Sequence, residues 1–452
     1  MAVNEERNVL AEIEDLMNQK QYSALRSKAE AMNEADIAAI MEDMEDENML
    51  KLFRIFPKDM ASDVFAMLEP DSQQYIITKL SEKEAGIIID NLQSDDAVDL
   101  LEEMPANVVK KILENARPDT RKDINHLLQY PDDSAGSVMT VEFIDLKEDM
   151  SVEEAIQRVR KLGVDSETIN TCYVLDAKRK LIGAVALRTL LLKKADDRIG
   201  AIMHGSVISC RTHDDEELVA QMFQKYDFNA MPVVDAENRM VGIITVDDVI
   251  DIIQKETTED IEKMAAIIPT DKPYLKTNIF ETWKKRIPWL LLLMISATFT
   301  GSIITSYENA LSKVVILTAY IPMLMDTGGN AGSQSTTEVV RGISLNEIGR
   351  KDYMRVIWKE MGVGLLCGVT LAATNFFKCI WFDHTTIAVA AVVCLTLICT
   401  VFFSKLVGST LTIGLAKIGV DPAVVASPVL TTIIDALSLI IYFTIATQIL
   451  GV

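Results

Sequence analysis

Residues 424–450 read VVASPVLTTIIDALSLIIYFTIATQIL, and this stretch decides how the chain is understood. It exceeds the roughly 20 apolar residues that a membrane-spanning helix needs, yet it carries a carboxylate, Asp435, near its middle. Hydrocarbon offers a carboxylate no solvation, so an acid at that depth marks a permeation path or a proton relay. The plain alternative is a structural Asp bonded to neighbouring hydroxyls inside a bundle. At helical spacing Ser427, Thr431, Asp435, Ser438 and Tyr442 fall on one face of a helix that is otherwise Val, Leu and Ile, a pattern that predicts a helix lining a pathway.

Four further apolar stretches precede it, at 287–307, 313–340, 361–382 and 386–416. Basic residues mark the cytoplasmic ends of spans. Lys284, Lys285 and Arg286 stand before the first stretch, and Arg341, Arg350, Lys351, Arg355 and Lys359 between the second and third. Five spans are therefore expected, with the N-terminus in the cytosol and the C-terminus outside. The second stretch is apolar only to Met325 and continues DTGGNAGSQSTTEVV. Glycines and amides at membrane depth are tolerated where they face protein or a water-filled cavity. Asp326, Asn330, Ser333 or Gln334, and Thr337 share a face there, so polar stripes on the second and fifth helices are expected to enclose one pathway.

Charge divides the chain. Of 452 residues with a net charge of −22, residues 273–452 carry 13 Lys+Arg against 10 Asp+Glu, and residues 1–272 carry 31 against 56. An acidic soluble region thus precedes a membrane domain. Acidity of that size excludes nucleic acid as a partner, because phosphate contacts demand Lys and Arg. It favours cations, although acidity also serves solubility. Cys172, Cys210, Cys367, Cys379, Cys394 and Cys399 form no C-x-x-C and four of them lie in apolar stretches, which argues against a disulfide framework and a zinc site. The acidic, amphipathic first 17 residues do not read as a cleaved signal peptide.

The soluble region itself has two parts. Residues 57–128 repeat every twelve. The eighth position gives Val64, Ile76, Ile88, Leu100, Ile112 and Ile124, and the twelfth Leu68, Leu80, Leu92, Met104, Ala116 and Leu128. Positions four apart share a helical face, and Pro, Ser or Asp stands where each helix would start, so an all-α helical superhelix is expected over 1–130. From 131 to 254 the pattern becomes strand, helix, strand, turn, strand, helix in duplicate, about 137–199 and 200–254, an α/β pair. A charged connecting helix is expected over 255–286 and an α-helical domain of five transmembrane helices over 287–452.

The duplicate units resemble a tandem of CBS domains, most closely in NAMPVVDAENRMVGIITVDDVIDII at 229–253. That resemblance implies an adenine nucleotide such as ATP held at a G-x-x-T-x-x-D turn. Gly242, Thr245 and Asp248 match it, whereas the first unit has Ala186 and Thr189 at the corresponding places. The order of parts, with PMLMDTGGNAGSQSTTEVVRG from Pro322 and DPAVVASPVLTTIIDALSLIIY from Asp421, resembles the MgtE family of magnesium channels across essentially the whole chain. The resemblance implies a homodimer in the lipid bilayer of the cytoplasmic membrane that takes up Mg²⁺ through a pore on its dimer axis. Asp435 of both protomers would surround the ion, assisted by backbone carbonyls of 429–432, with Thr431, Thr432, Asn330 and Asp326 nearby.

It further implies closure by cytosolic Mg²⁺ bound among Asp95, Asp96, Asp214, Asp215, Glu216, Asp227, Asp247, Asp248, Asp251, Glu256, Glu259, Asp260 and Asp421. The physics is compatible, since Mg²⁺ keeps its waters and suits a few carboxylate and carbonyl oxygens around a hydrated ion. A Mn²⁺ or Co²⁺ channel, or a proton- or sodium-coupled carrier using Asp435, is the alternative. With His126, His204, His213 and His384 as its four histidines and no H-E-x-x-H, the chain does not read as an enzyme.

Overall fold

The computed structural model describes residues 2–102, 104–270, 272, 274–275, 277–425 and 428–451. Ser427 of the expected stripe and Pro273 of the expected connector lie outside the described residues. The chain forms two compact units, residues 1–253 and 254–452.

Among the described residues the first unit opens with ten helices, from Ala2–Asn18 to Pro118–Leu127. Their N-caps fall on Gln21, Asn33, Glu45, Pro57, Glu69, Ser81, Pro105 and Arg117, each on the first position of a twelve-residue block. The superhelix therefore begins three blocks before the repeat read from 57–128. Ile40, Met44, Leu52 and Phe56 fill the eighth and twelfth positions of the two blocks from 33 and are buried, but Lys28 breaks the pattern in the block from 21.

Two helices without a capping side chain of their own borrow one. Glu42 accepts hydrogen bonds from the Glu69 backbone N–H at 2.9 Å and from Ser72 Oγ at 2.8 Å, completing the start of Pro70–Lys79. Asp90 accepts from the Arg117 N–H at 2.7 Å at the start of Pro118–Leu127. Both ties cross the same sequence separation of 27, and each satisfies a helix-start donor that is otherwise orphaned.

Two small sheets follow. In the first, β1 (Asp145–Leu146) runs parallel to β2 (Thr171–Leu175), which pairs antiparallel with β3 (Leu181–Ala186). In the second, β4 (Cys210–Arg211), β5 (Ala230–Val234) and β6 (Met240–Thr245) repeat the order and the directions. Even the register shift near the end of the middle strand recurs, at Val174/Leu175 and Val233/Val234. One hydrophobic core runs from the superhelix into the second of these halves, through Ala135, Met139, Cys210, Val219 and Met231.

The expected connecting helix over 255–286 is instead two helix ends and a joint. Helix Val246–Met264 starts in the second α/β half, and the next helix, Ile279–Ser306, begins at an Asn278 cap and already contains the basic Lys284–Lys285–Arg286. Ala266 takes a left-handed φ of 54° and Pro269 follows, a combination that ends one helix and does not permit its continuation.

Among the described residues four helices are long and apolar enough to cross a membrane: Ile279–Ser306, Tyr353–Trp381, Ile387–Ile418 and Pro428–Leu450. The expected second span differs from a single run. Residues 308–313 are a separate helix, Val315–Tyr320 is a 3-10 turn, and Ile321–Ser344 starts afresh with Pro322 in its first turn. Its 24 residues reach about 36 Å at 1.5 Å each, but its polar content keeps it apart from the four. One side of it is buried on Ile387–Ile418 and Pro428–Leu450, where glycines permit close approach. A Cβ on Gly332 would lie 2.1 Å from Ile434 Cδ1, and one on Gly408 would lie 2.8 Å from the Gly332 carbonyl oxygen.

Candidate ion pathway and acidic clusters

The last helix starts at Pro428, after the 3-10 turn Pro422–Val425. Thr431 and Thr432 both donate their hydroxyls to the Pro428 carbonyl, at 3.0 and 3.1 Å. Asp435, one turn on, is half-buried. Asp326 of Ile321–Ser344 lies within Coulombic reach of it, and a Cβ on Gly329 would touch Thr431 Cγ2 at 3.3 Å. Asp326, Asn330, Gln334 and Thr337 are all exposed in the single chain. The two helices therefore bring Asp326, Asn330, Thr431, Thr432 and Asp435 to neighbouring positions.

The stripe predicted along the last helix is shorter than its sequence suggests. Ser438 is buried against Gly328, and Tyr442 is buried and donates to the Leu317 carbonyl at 2.9 Å. These two pack the interior; Thr431 and Asp435 border the open side.

Two ionic ties inside the helical unit were not anticipated. Lys405 and Glu360, 5% and 8% exposed, pair at 3.7 Å between the neighbouring helices Ile387–Ile418 and Tyr353–Trp381. Asp383 accepts from Tyr320 at 2.7 Å and from Lys378 at 2.6 Å, fixing the turn before Ile321–Ser344 to the loop between those two helices. A lysine in the middle of the apolar stretch 386–416 was the available signal for the first.

In the first unit, Asp95 and Asp96 open helix Ser94–Glu102, and Asp247 and Asp248 open helix Val246–Met264. Burial pushes the Asp95 carboxyl well above the ordinary range, with Asp248 and Asp96 adding repulsion. Burial, then Asp248, raises Asp96 to about 7. Asp248 and Asp251 are also raised by burial, Asp248 against a 2.7 Å hydrogen bond from Thr245 Oγ1 that favours its charge. Glu167, which the sequence reading passed over, belongs here: burial, then Asp247 and Asp248, raise it to about 7. The strongest charged influences on Asp96 and Glu167 are acids.

Other expected ligands stand elsewhere. Asp214 accepts from the Arg211 N–H at 2.8 Å in a turn, Asp215 caps helix Glu216–Tyr226, Glu216 is buried in that helix's first turn, and Asp227 is its left-handed C-cap. Thr245 and Asp248, the expected nucleotide contacts, are bonded to each other at the end of β6.

In the second unit Glu259, Asp260 and Asp421 gather, with Glu256 one turn earlier on the same helix. Burial, then Asp421, raises Asp260. Among the described residues no three His, Cys, Asp or Glu side chains converge to hold one metal ion as they stand. The acids are near enough to repel and are not gathered at one point, so the donor chemistry fits a hydrated divalent cation better than a closed cage.

The comparisons with known proteins cover the same parts. Residues 321–445 match the MgtE family described as divalent cation transporters, residues 32–133 the MgtE intracellular N domain, and residues 135–196 and 199–255 the CBS domain. The magnesium transporter MgtE of Thermus thermophilus is 35% identical over 445 residues, 98% of each chain. That of Bacillus subtilis is 32% identical over 427 residues, 93% of each chain. Among solved structures, the cytosolic domain of the Mg²⁺ channel MgtE in complex with ATP is 33% identical with a TM-score of 0.52, covering 54% of this chain and 99% of that one. The soluble part of a magnesium transporter is 28% identical with a TM-score of 0.53, covering 56% of this chain and 99% of that one.

Proposed function

This chain belongs to the MgtE family of magnesium transporters, and on that premise we propose that two copies pair in the cytoplasmic membrane around one Mg²⁺ pathway that cytosolic Mg²⁺ closes. It is a multi-pass membrane transporter and not an enzyme. The observation that carries the pairing is the exposed face of Asp326, Asn330, Gln334 and Thr337. Lipid accepts no such face, whereas a second copy related by a twofold axis covers it and leaves water between the two. Five crossings then put the N-terminus in the cytosol and the C-terminus outside.

In this pathway the two Asp435 carboxylates match the charge of one hydrated Mg²⁺. Carbonyl and hydroxyl oxygens of Thr431 and Thr432 and the amide of Asn330 hold its waters. Asp326 adds a second pair of charges beside it.

Closure follows from the acidic cluster of the first unit. Asp95, Asp96, Glu167, Asp247, Asp248 and Asp251 repel one another, and a divalent cation reverses the sign. Glu256, Glu259, Asp260 and Asp421 place a second set of acids between the connector and the membrane domain. Mg²⁺ that prefers the packed arrangement shifts the population toward it.

A pH dependence tests this without any flux assay. The folded pKa values of Asp96 and Glu167 lie above their unfolded ones, so the folded state binds more protons and loses stability as pH rises from about 4 through about 7. In EDTA the soluble unit of the full-length protein is expected to melt at a lower temperature at about pH 8 than at about pH 5.5. Millimolar Mg²⁺ should abolish most of that difference and Na⁺ at matched ionic strength should not. A melting temperature indifferent to Mg²⁺ at the higher pH would count against the acids as sensors.

Nucleotide enters at the second α/β half. We propose that Thr245 and Asp248 hold the ribose of ATP, and because Asp248 also belongs to the acidic cluster, the two ligands are linked. Titration calorimetry of the full-length protein with ATP should give binding that D248A removes and that Mg²⁺ alters. No heat at millimolar ATP, or heat unchanged in D248A, rules this site out.

A further inference from the structure

The connector carries its own cation where it meets the membrane domain. Lys263 Nζ stands 2.8 Å from Asp421 Oδ2 and 2.7 Å from Glu259 Oε1. The Lys263 side chain is 23% exposed and its two partners 36% each. Asp421 is fixed in turn, since its other oxygen accepts the Ala423 N–H at 2.8 Å, at the entry to the 3-10 turn that leads into helix Pro428–Leu450. The next residue, Met264, packs on Val340, near the end of helix Ile321–Ser344, and on Ala423. Residues 259–264 therefore touch one pathway helix near its end and the turn that precedes the other.

The two acidic clusters differ in this respect. The strongest charged influences on Asp96 and Glu167 in the first unit are acids. In the second unit the ammonium of Lys263 sits between Glu259 and Asp421, and Asp260 is drawn in beside them. An ammonium on a flexible stem is a compact charge with three donors, and two of them are already engaged here. Three carboxylates and one ammonium still leave negative charge for a divalent cation.

Resting on the gating read above, we propose that Lys263 is a tethered counter-ion that holds the end of the connector helix on the pathway helices in the absence of metal, and so sets how much cytosolic Mg²⁺ closure requires. Mg²⁺ adds to a contact that already exists instead of creating it. The metal-dependent step is then concentrated in the first unit's cluster, and the second unit's contact has a metal-independent floor.

The test uses the full-length protein and chymotrypsin, whose cleavage after Tyr274 and Leu275 reports on the joint beside this contact; the two residues are 74% and 94% exposed. In EDTA, K263Q and D421N should each be cut several-fold faster than the unaltered chain, and K263R should be cut at its rate. Mg²⁺ should still protect K263Q, and its protection should span a wider range between EDTA and saturation. The exchanged pair K263D/D421K should recover the slow rate in EDTA, which a merely misfolded variant would not. K263Q cut at the unaltered rate in EDTA, while the unaltered chain responds to Mg²⁺, overturns the tethered counter-ion and leaves the gating reading intact. An unaltered chain whose cleavage ignores Mg²⁺ overturns the gating reading on which it rests.

Discussion

Asp435→Asn is expected to lower Mg²⁺ uptake at least about 100-fold, with the protein still made, folded and paired. The substitution keeps the shape and removes one negative charge from each protomer. A divalent ion loses several kcal/mol of attraction when two carboxylates near it become amides, even at an effective dielectric of about 20. Roughly 3 kcal/mol is already a factor of more than 100 in occupancy. Folding is spared because Asp435 is half-buried on the open side of its helix. Asp435→Ala should be as damaging. Uptake into liposomes with a trapped Mg²⁺-sensitive dye measures it, and undiminished uptake by purified Asp435→Asn protein would falsify the pathway assignment.

Breaking the Lys405–Glu360 pair is expected to act on stability with comparable force. Lys405→Met leaves Glu360 buried at 8% exposure without its partner, and stranding one member of a buried pair costs about 3–5 kcal/mol. Glu360→Leu should do the same to Lys405. Replacing both, Lys405→Met with Glu360→Leu, should recover most of the loss, because packed apolar residues often match a buried pair. Unfolding of detergent-purified protein would give the coupling energy from the two single variants and the double one. Single variants no less stable than the double would mean that water already solvates the pair. The same region also joins helices through hydrogen bonds, with Ser335 and Ser409 hydroxyls donating to the Lys405 carbonyl at 3.2 and 2.9 Å, and both substitutions leave these in place.

The features that were legible in the sequence are those written as a period. A twelve-residue recurrence at Val64, Ile76 and Ile88, an α/β pattern stated twice, and apolar runs long enough to cross a bilayer each repeat a physical requirement several times. What escaped reading depends on distance in space. Glu167 joins the acids through the fold of a loop, and nothing beside it in sequence marks it. Lys28 hides an early helix of the superhelix because one polar residue at an eighth position is enough to break a periodic pattern. Ser438 and Tyr442 share a nominal face with Asp435, yet a helix packed on two neighbours buries part of that face. The break before Ile321 was written in Pro322, a residue better read as a helix start than as an interruption.

The borrowed caps also impose an order on biosynthesis. Glu42 and Asp90 each complete a helix that begins 27 residues later, so on a ribosome each acceptor emerges first and waits, already placed, for the donors it will bind. The superhelix can then be laid down block by block from its N-terminal end during translation, each turn closing on a surface that is finished before it is needed. A break in an early block would be felt three helices downstream, at a start that has lost its partner.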